Sequence, residues 1–411
     1  MAGLTAPSVA ADDRVRCAPR RTGEDASRPD GPIDLRALAA VISGITGVGA
    51  ALSLSLPLLS VVLDSRGIPA IFVGINTATA GVAAIAILPF VTGFAERFGT
   101  ARVIVVAFVL MAVMLLGFYY VEPFALWFPM RFVFSASVTM IFALTEFWIN
   151  SLAPPARRGF IVGVYTAFLS AGISIGPIIL ALVGTDGVLP FAIGAGVLLA
   201  AALPVLCVAA REPILQRAGQ RNLLRFVAAA PLAMFAALVF GAVESGGTAI
   251  LPLYGAAIGL TPERAVILVT AIAAGNILSQ IPIGYLADRV NRRLLLIGSA
   301  AIGMLGALAI PLVAQHYWGL FAVLFVTGGI VTGLYTIGLT HLGARYRGAD
   351  LATANAAFVM MYAAGMLVGP VSLGAGLDLA PPHGFAIAIA TIFGVYVAMS
   401  LVRVARDGIS P

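Results

Sequence analysis

The sequence predicts an all-α membrane protein whose twelve transmembrane helices form two pseudo-symmetric six-helix bundles. Of its 411 residues, 61% are hydrophobic and only 10% are charged, whereas a soluble domain carries about 25% charged residues. The apolar residues fall into twelve runs, each close to the roughly 20 residues that a helix needs to cross a bilayer. Landmarks in the first six runs recur in the last six. Together these observations favour a duplicated polytopic protein.

The twelve runs define the predicted helices and the connectors between them. They cover residues 37–63, 69–93, 102–121, 124–151, 159–184, 189–210, 226–257, 263–286, 293–314, 318–343, 351–377 and 384–405. From these runs we predict the following organisation: a disordered cytoplasmic tail (1–35), an N-terminal bundle (36–210), a central cytoplasmic linker (211–225), a C-terminal bundle (226–405) and a short cytoplasmic tail (406–411).

The basic residues predict the orientation in the membrane. All 24 are arginine, and 21 of them lie in the tails or the even-numbered connectors. The odd-numbered connectors hold only Arg66 and Arg264, and Arg131 lies inside a span. The positive-inside rule therefore places both termini in the cytoplasm of a multi-pass inner-membrane protein. Because the arginines are divided among short connectors, they form no continuous basic face for nucleic acid, and the expected environment is the lipid bilayer.

Several landmarks repeat between the two halves at offsets of 192 to 195 residues. A Leu-Pro-Leu triplet, a proline in the second span, a Gly-x-x-x-Gly-Pro element and a charged loop each occur twice. The pairs are Leu56–Leu58 with Leu251–Leu253, Pro89 with Pro282, the set Gly172, Gly176 and Pro177 with the set Gly365, Gly369 and Pro370, and Glu96-Arg97 with Asp288-Arg289. Four such pairs in the same order indicate an internal duplication. Small residues permit close helix approach, so we expect the Gly-x-x-x-Gly-Pro elements to make helices 5 and 11 pivots or tight seams between the two halves.

At these residues the chain resembles the major facilitator superfamily, over about residues 35–405. In this family the loop after helix 2 has the pattern G-x-L-A-D-R-x-G-R-R, which recurs in the second half, and Gly284–Arg293 is similar to that second copy. The first copy departs from the pattern, with Thr92 and Glu96 at the opening Gly and the Asp positions. The Gly-x-x-x-Gly-Pro element resembles drug–proton antiporter branches. The stretch around Glu146-x-Trp148-x-Asn150 looks like a YcaD-like branch, which implies no particular substrate.

The two charged loops are candidate gates on the cytoplasmic side. Asn276, Gln280, Gly284 and Asp288 recur every four residues and so form one stripe down helix 8. Asp288 could cap a neighbouring helix or pair with an arginine across the halves, and so hold the cytoplasmic side closed. The alternative for the arginines is that they only enforce topology. The predicted gating residues are Glu96, Arg97, Gly284, Asp288 and Arg289.

Charged residues inside the spans are the candidates for coupling. Arg131 lies near the outer end of helix 4, where a guanidinium is costly. It either snorkels to the surface or takes part in coupling, as the resemblance to the family's helix-4 arginine implies. It begins a polar stripe that faces protein or water. The members of this stripe are Arg131, Ser135, Thr139, Phe142, Glu146 and Asn150.

Glu244 in helix 7 is the preferred proton-coupling candidate, ahead of Glu146. A buried carboxyl can load a proton on one side of the membrane and release it on the other. The alternatives are a non-titrating hydrogen bond for Glu244 and an ion pair with Arg157 or Arg158 for Glu146. Further candidates for substrate contact, although such residues more often serve helix packing than ligand binding, are Asn76, Asn276, Gln280, Tyr335, Asn355 and Tyr362.

Together these features predict a secondary transporter that moves a small organic solute by alternating access. Sparse polar groups in the spans favour an amphipathic or weakly charged solute. Proton-coupled efflux is the first choice, by a functional monomer that needs no cofactor or metal and is no enzyme. The alternatives are a proton-coupled metabolite importer and a membrane receptor or scaffold that has lost transport.

Overall fold

Twelve helices cross the length of the molecule, as the sequence predicts. The computed structural model of the protein describes residues 34–152, 158–212, 223–346 and 348–407. Twelve helices in these ranges are long and apolar enough to span a membrane. They are α1 (Leu35–Ser65), α2 (Ala70–Phe98), α3 (Thr100–Tyr120), α4 (Phe124–Leu152), α5 (Arg158–Val183), α6 (Leu189–Cys207), α7 (Pro231–Ala257), α8 (Pro262–Arg289), α9 (Arg292–Val313), α10 (Tyr317–Arg345), α11 (Gly348–Leu379) and α12 (Gly384–Asp407).

Two helices differ from the apolar runs that predicted them. α2 changes to a 3₁₀ turn at Leu88–Phe90, because Pro89 cannot donate to the preceding carbonyl. α7 begins at Pro231, later than the expected residue 226, and a short helix at Leu223–Ala229 precedes it. Ala230 has non-helical dihedral angles, and proline is favoured as the first residue of a new helix. Hydropathy alone does not reveal this break, because the residues on both sides of it are apolar.

The two halves repeat one packing scheme. In the N-terminal half α5 packs along α1 and α3 lies between α4 and α6, and in the C-terminal half α11 packs along α7 and α9 lies between α10 and α12. The core is formed by the apolar faces that these pairs share. This correspondence confirms the predicted pseudo-symmetric bundles.

Glycines bring the paired helices into backbone contact. A Cβ atom added to Gly172 of α5 would overlap the carbonyl oxygen of Thr46 in α1. The equivalent addition to Gly369 of α11 would overlap the carbonyl oxygen of Ala242 in α7. Gly176 and Gly365 approach α1 and α7 in the same way. Any side chain at these positions would have to push two helices apart.

The prolines of the two Gly-x-x-x-Gly-Pro elements lie inside continuous helices. Pro177 and Pro370 are buried inside α5 and α11, and both helices continue beyond them. A proline there removes one backbone hydrogen bond, but it ends neither helix. In α5 the close approach to α1 is made by Gly172 and Gly176. The glycines of both elements therefore close a contact within their own half, whereas the sequence predicts a seam between the halves. A packing role for Pro177 itself stays a prediction.

We call the face with the start of α1 and the end of α12 the terminal face, and the other the opposite face. On the terminal face, Asp34 caps α1 by accepting from the amides of Arg36 and Ala37, each at 3.2 Å. Its carboxylate also pairs with Arg211, just beyond α6, at 2.8 Å. Glu212 accepts from the amide of Ala101 at 2.8 Å and so caps α3. The end of α6 thus anchors the starts of two other helices.

The two halves meet chiefly along α2 and α11. A Cβ atom added to Gly74 would overlap the carbonyl oxygen of Pro370, and one added to Gly81 would lie 2.6 Å from that of Ala363. α5 and α8 form a second contact between the halves. We call the α2–α11 contact the seam.

Candidate functional site

Glu244 lies halfway along α7, at the depth expected for the middle of the membrane. Its Oε2 atom accepts a hydrogen bond from the hydroxyl of Tyr362 in α11, at 2.5 Å. The two helices are close here because Gly241 lies against the Tyr362 backbone. A carboxyl group away from water needs a partner or a proton. Tyr362 provides the partner, so a directed hydrogen bond between α7 and α11 holds this acid.

An aromatic cluster surrounds this hydrogen bond. It consists of Phe240, Tyr335, Phe358 and Tyr362. The ring centroid of Tyr335 lies 5.6 Å from that of Phe240, 5.1 Å from that of Phe358 and 5.9 Å from that of Tyr362. These are ordinary separations for interacting aromatic rings. The cluster gives the site an apolar wall with two hydroxyl groups.

Glu146 contributes a second carboxylate, from the N-terminal half. It is exposed to solvent although protein surrounds it on most sides. It lies within electrostatic range of the hydroxyls of Tyr165 in α5 and Tyr335 in α10. Tyr165 is fixed by Thr145, with 3.0 Å between their hydroxyl oxygens. The structure therefore places acids from both halves around Tyr335.

The expected ion pair of Glu146 with Arg157 or Arg158 stays a prediction. Residues 153–157 and the side chain of Arg158 lie outside the described part of the chain. The neighbouring Asn150 donates to the backbone oxygen of Glu146 at 2.8 Å, and so its amide stays with its own helix.

Arg131 is buried within the N-terminal bundle. It is only 2% exposed, so the snorkelling alternative is wrong. Trp127 and Phe134, one turn away on either side, are also buried and pack against Phe118 of α3. Among the described residues, none accepts a hydrogen bond from Nε or Nη1 of Arg131. The guanidinium is thus a buried cation with unused donors.

A cavity of about 80 Å³ lies inside the C-terminal bundle and reaches Glu244. Helices α7, α8, α9, α10 and α12 enclose it. Its oxygen-bearing lining residues are Glu244, Thr248, Asn276, Thr327 and Thr332. We call this space the bundle cavity. The structure thus brings Asn276 and Glu244, both predicted site residues, to one enclosure.

The predicted gating residues lie at the terminal face. Glu96 and Arg97 are exposed there, and Arg97 lies over the ring of Phe98 at 5.4 Å. Arg289 lies over the ring of Tyr285 at 4.1 Å. Gly284, Asp288 and Gln280 lie in α8, but their side chains are outside the described part. The gating role of this group stays a prediction.

Asp378 makes a contact between the two halves that was not predicted from the sequence. Its Oδ1 accepts from the amide of Ala70 at 3.1 Å and its Oδ2 from the amide of Ile71 at 2.7 Å. A residue of α11 thereby caps the first turn of α2, on the opposite face. Pro69 precedes α2 and offers no side-chain cap of its own. That missing cap was the available signal, since the first amides of a helix need an acceptor.

Comparisons with known proteins agree with this architecture. The family profile of the Major Facilitator Superfamily matches residues 41–274 and 233–409. "Uncharacterized MFS-type transporter YfkF" of Bacillus subtilis is 24% identical over 335 residues, covering 78% of this chain and 83% of that protein. "Uncharacterized MFS-type transporter YcaD" of Escherichia fergusonii is 23% identical over 320 residues, covering 77% and 82%.

Solved structures extend the likeness to three dimensions. A mutant form of the nucleoside transporter NupG superimposes with a TM-score of 0.74 at 15% identity, covering 90% of this chain and 98% of that one. At this identity the likeness shows the fold alone. The profile match spans both halves, and the relatives agree with the YcaD-like resemblance. The chain belongs to the Major Facilitator Superfamily, and its function is membrane transport by alternating access.

Proposed function

We propose that the protein is a proton-coupled secondary transporter that exports a small amphipathic organic solute from the cytoplasm. The observation that carries this proposal is the hydrogen bond between Glu244 and Tyr362 at mid-membrane depth. A carboxyl group there can exchange one proton, and its charge determines how strong the hydrogen bond from Tyr362 is. The aromatic cluster beside it offers a surface for the solute.

The coupling step follows from the position of Tyr362. The next residue, Ala363, has its carbonyl oxygen against Gly81 of α2 at the seam. Protonation of Glu244 removes the negative charge that Tyr362 donates to, so the charge-assisted hydrogen bond becomes weaker. This releases α11 locally, one residue from the contact between the halves. A proton at Glu244 thereby biases which side of the transporter is open.

The solute class follows from the walls around Tyr335. Four aromatic rings supply apolar area, and two tyrosine hydroxyls supply limited hydrogen bonding. Glu146 adds a negative charge on the N-terminal side. Such walls favour a planar, amphipathic solute that is neutral or positively charged, and they disfavour an anion.

Orientation and direction complete the proposal. The 21 arginines in the tails and even-numbered connectors support cytoplasmic termini in the inner membrane. With that orientation the terminal face is cytoplasmic, and Asp378 holds the external side together in the present state. A monomer is sufficient, because both halves of the transport path come from one chain.

A flux assay in proteoliposomes tests the proposal. A solute library is screened with an imposed pH gradient, and the wild type is compared with Glu244→Gln. We expect pH-driven flux to fall to the level of empty liposomes, while exchange of solute without a gradient continues. Glu122→Gln is the matched control, because Glu122 is an exposed acid in the α3–α4 connector, and it should behave as wild type.

The other outcomes separate the alternatives. Unchanged pH-driven flux in Glu244→Gln would remove the coupling role of Glu244. Accumulation inside vesicles in the direction of the proton gradient would identify an importer. No flux of any solute would favour a receptor or scaffold.

A further inference from the structure

Three threonines that line the bundle cavity already donate their hydroxyl hydrogens to backbone carbonyls of their own helices. The hydroxyl of Thr248 donates to the carbonyl of Glu244 at 2.8 Å, that of Thr327 to Val323 at 2.6 Å and that of Thr332 to Gly328 at 3.0 Å. A hydroxyl that donates to its own helix keeps its lone pairs for another partner. These three threonines therefore act as acceptors toward the cavity.

Glu244 adds a negative charge to this wall. Its hydrogen bond with Tyr362 uses Oε2, and a carboxylate has about four acceptor positions. The cavity-lining residues, all within the described part of the chain, include no Arg or His. The wall thus combines several oxygen acceptors with one carboxyl group, and no basic side chain neutralises it.

The other half of the molecule shows what occupies the equivalent place. α10 begins 193 residues after α4, at Tyr317 against Phe124. On this offset Leu324, which lines the cavity, corresponds to Arg131, and Thr327 corresponds to Phe134. The N-terminal bundle therefore places a fixed guanidinium where the C-terminal bundle has an aliphatic side chain beside a carboxyl group.

The same comparison explains why the C-terminal bundle is hollow. α9 begins 192 residues after α3, at Arg292 against Thr100. The cavity-lining Gly303 and Ala307 then correspond to the fully buried Met111 and Leu115. Small residues replace large ones in the C-terminal half, so space remains beside Glu244. In the N-terminal half the larger side chains of Met111 and Leu115 stand at these two positions.

We propose that the bundle cavity binds a small monovalent inorganic cation, for which Na⁺ is the probe, through Glu244 and the threonine hydroxyls. One carboxylate balances one positive charge, whereas a divalent ion would leave a net charge inside the membrane. The volume of about 80 Å³ holds an ion with a few waters, since one water needs about 10–15 Å³. The inference deepens the proposed function, because Na⁺ and the proton become alternative occupants of one site.

Binding of radiolabelled Na⁺ to the purified full-length protein in nanodiscs tests this inference without any transport. We expect saturable binding of one ion per chain, displaced by unlabelled Na⁺ but not by choline, and weakened by acidification as protons compete. Glu244→Gln removes the charge and Ala307→Leu fills the cavity with the side chain of its counterpart Leu115. Each should weaken binding at least tenfold.

Two further variants guard against misfolding. Thr332→Val removes one oxygen at nearly constant volume and should weaken binding severalfold. Thr340→Val is the matched control, because its hydroxyl also donates to its own helix, to Ile337 at 2.9 Å, but it lies outside the cavity lining. It should bind Na⁺ as the wild type does. Circular dichroism and thermal unfolding confirm that each variant is folded.

The outcomes keep this inference separate from the proposed function. It is overturned if the wild type shows no saturable Na⁺ binding, or if folded Ala307→Leu binds as tightly as wild type. Proton-driven flux that persists in such a protein leaves the proposed coupling standing. Conversely, Na⁺ binding that requires Glu244 in a protein without pH-driven flux supports the site and removes the proton coupling.

Discussion

Arg131 and Glu244 are the two charges that lie deepest among the residues considered for coupling, and they are held differently. Glu244 has a tyrosine partner at 2.5 Å, whereas Nε and Nη1 of Arg131 have no acceptor among the described residues. Unpaired donors in an apolar environment lower the stability of the fold. A residue that costs stability in the resting structure is a candidate for a role in another state of the transport cycle.

We therefore expect Arg131→Met to stabilise the protein and to abolish coupled transport. Methionine fills a similar volume without donors, so the free energy of unfolding should rise by on the order of 1–3 kcal/mol. Thermal unfolding and pH-driven flux are measured on the same preparation. Lower stability would contradict the account of the unused donors. Wild-type flux in a stabilised variant would contradict the coupling role.

At this scale the sequence can locate charges but not their partners. Glu244, Glu146 and Arg131 are visible because each interrupts an apolar run. The partner of Glu244 is 118 residues away, and no periodicity within α7 or α11 points to Tyr362 more than to other tyrosines. The bundle cavity is equally hidden, because it depends on which small residues from five helices meet.

At the scale of elements, the cap of α1 should make stability depend on pH in acid. Partial burial alone would raise the pKa of Asp34, but the Ala37 amide and Arg211 outweigh it and hold that pKa below its usual value. A lowered folded-state pKa stabilises the fold above about pH 4. This contribution is lost as the pH falls through the folded-state pKa.

Asp34→Ala should accordingly lower the free energy of unfolding near neutral pH by about 1 kcal/mol, a typical value for a helix cap. The difference from wild type should shrink as the pH falls below about 4. Arg211→Ala removes only the partly exposed ion pair and should cost about 0.5 kcal/mol or less. Thermal unfolding across the pH range checks both. A constant difference at all pH values would argue against the carboxylate as the cap.

The glycine contact between α7 and α11 is the second element whose strength can be measured. Gly369→Ala places a methyl group against the backbone of Ala242, where no flexible side chain can yield. We expect a loss of about 1–3 kcal/mol of stability and reduced flux, because the Glu244–Tyr362 pair spans the same two helices. Gly298→Ala is the control, since a Cβ atom there meets nothing within 4 Å. Equal stability of the two variants would show that this contact adapts freely.

Element existence was predictable because membrane spans are long and uniformly apolar. The break in the helix at Ala230 was not predictable, because it lies between two apolar segments and leaves the hydropathy unchanged. The repeated glycines indicated close helix contacts but not the partner helices, since each glycine of α5 and α11 packs within its own half and not across the two halves. The cap at Asp34 was hidden because the tail before it contains other aspartates, including Asp25 and Asp30.

For the whole molecule, the two halves share a fold but differ in what they contribute. The N-terminal bundle carries a buried cation, and the C-terminal bundle contains a cavity beside a carboxyl group. In this state they are joined at the seam, and Asp378 adds hydrogen bonds from one half to the first turn of α2 in the other. Alternating access requires this contact to break, because α2 and α11 must separate on the opposite face before that side can open.

Removing the Asp378 cap should therefore shift the molecule toward opening on the opposite face. Asp378→Ala deletes two hydrogen bonds and a carboxylate at the positive end of α2, interactions that stabilise only the closed arrangement. Spin labels placed at the ends of α2 and α11 on that face report their separation in nanodiscs. We expect a longer distance to become more populated in Asp378→Ala. Asp186→Ala, an exposed acid in the α5–α6 connector on the same face, should leave the distances unchanged. If Asp378→Ala does so too, the cap is structural and does not gate the transporter.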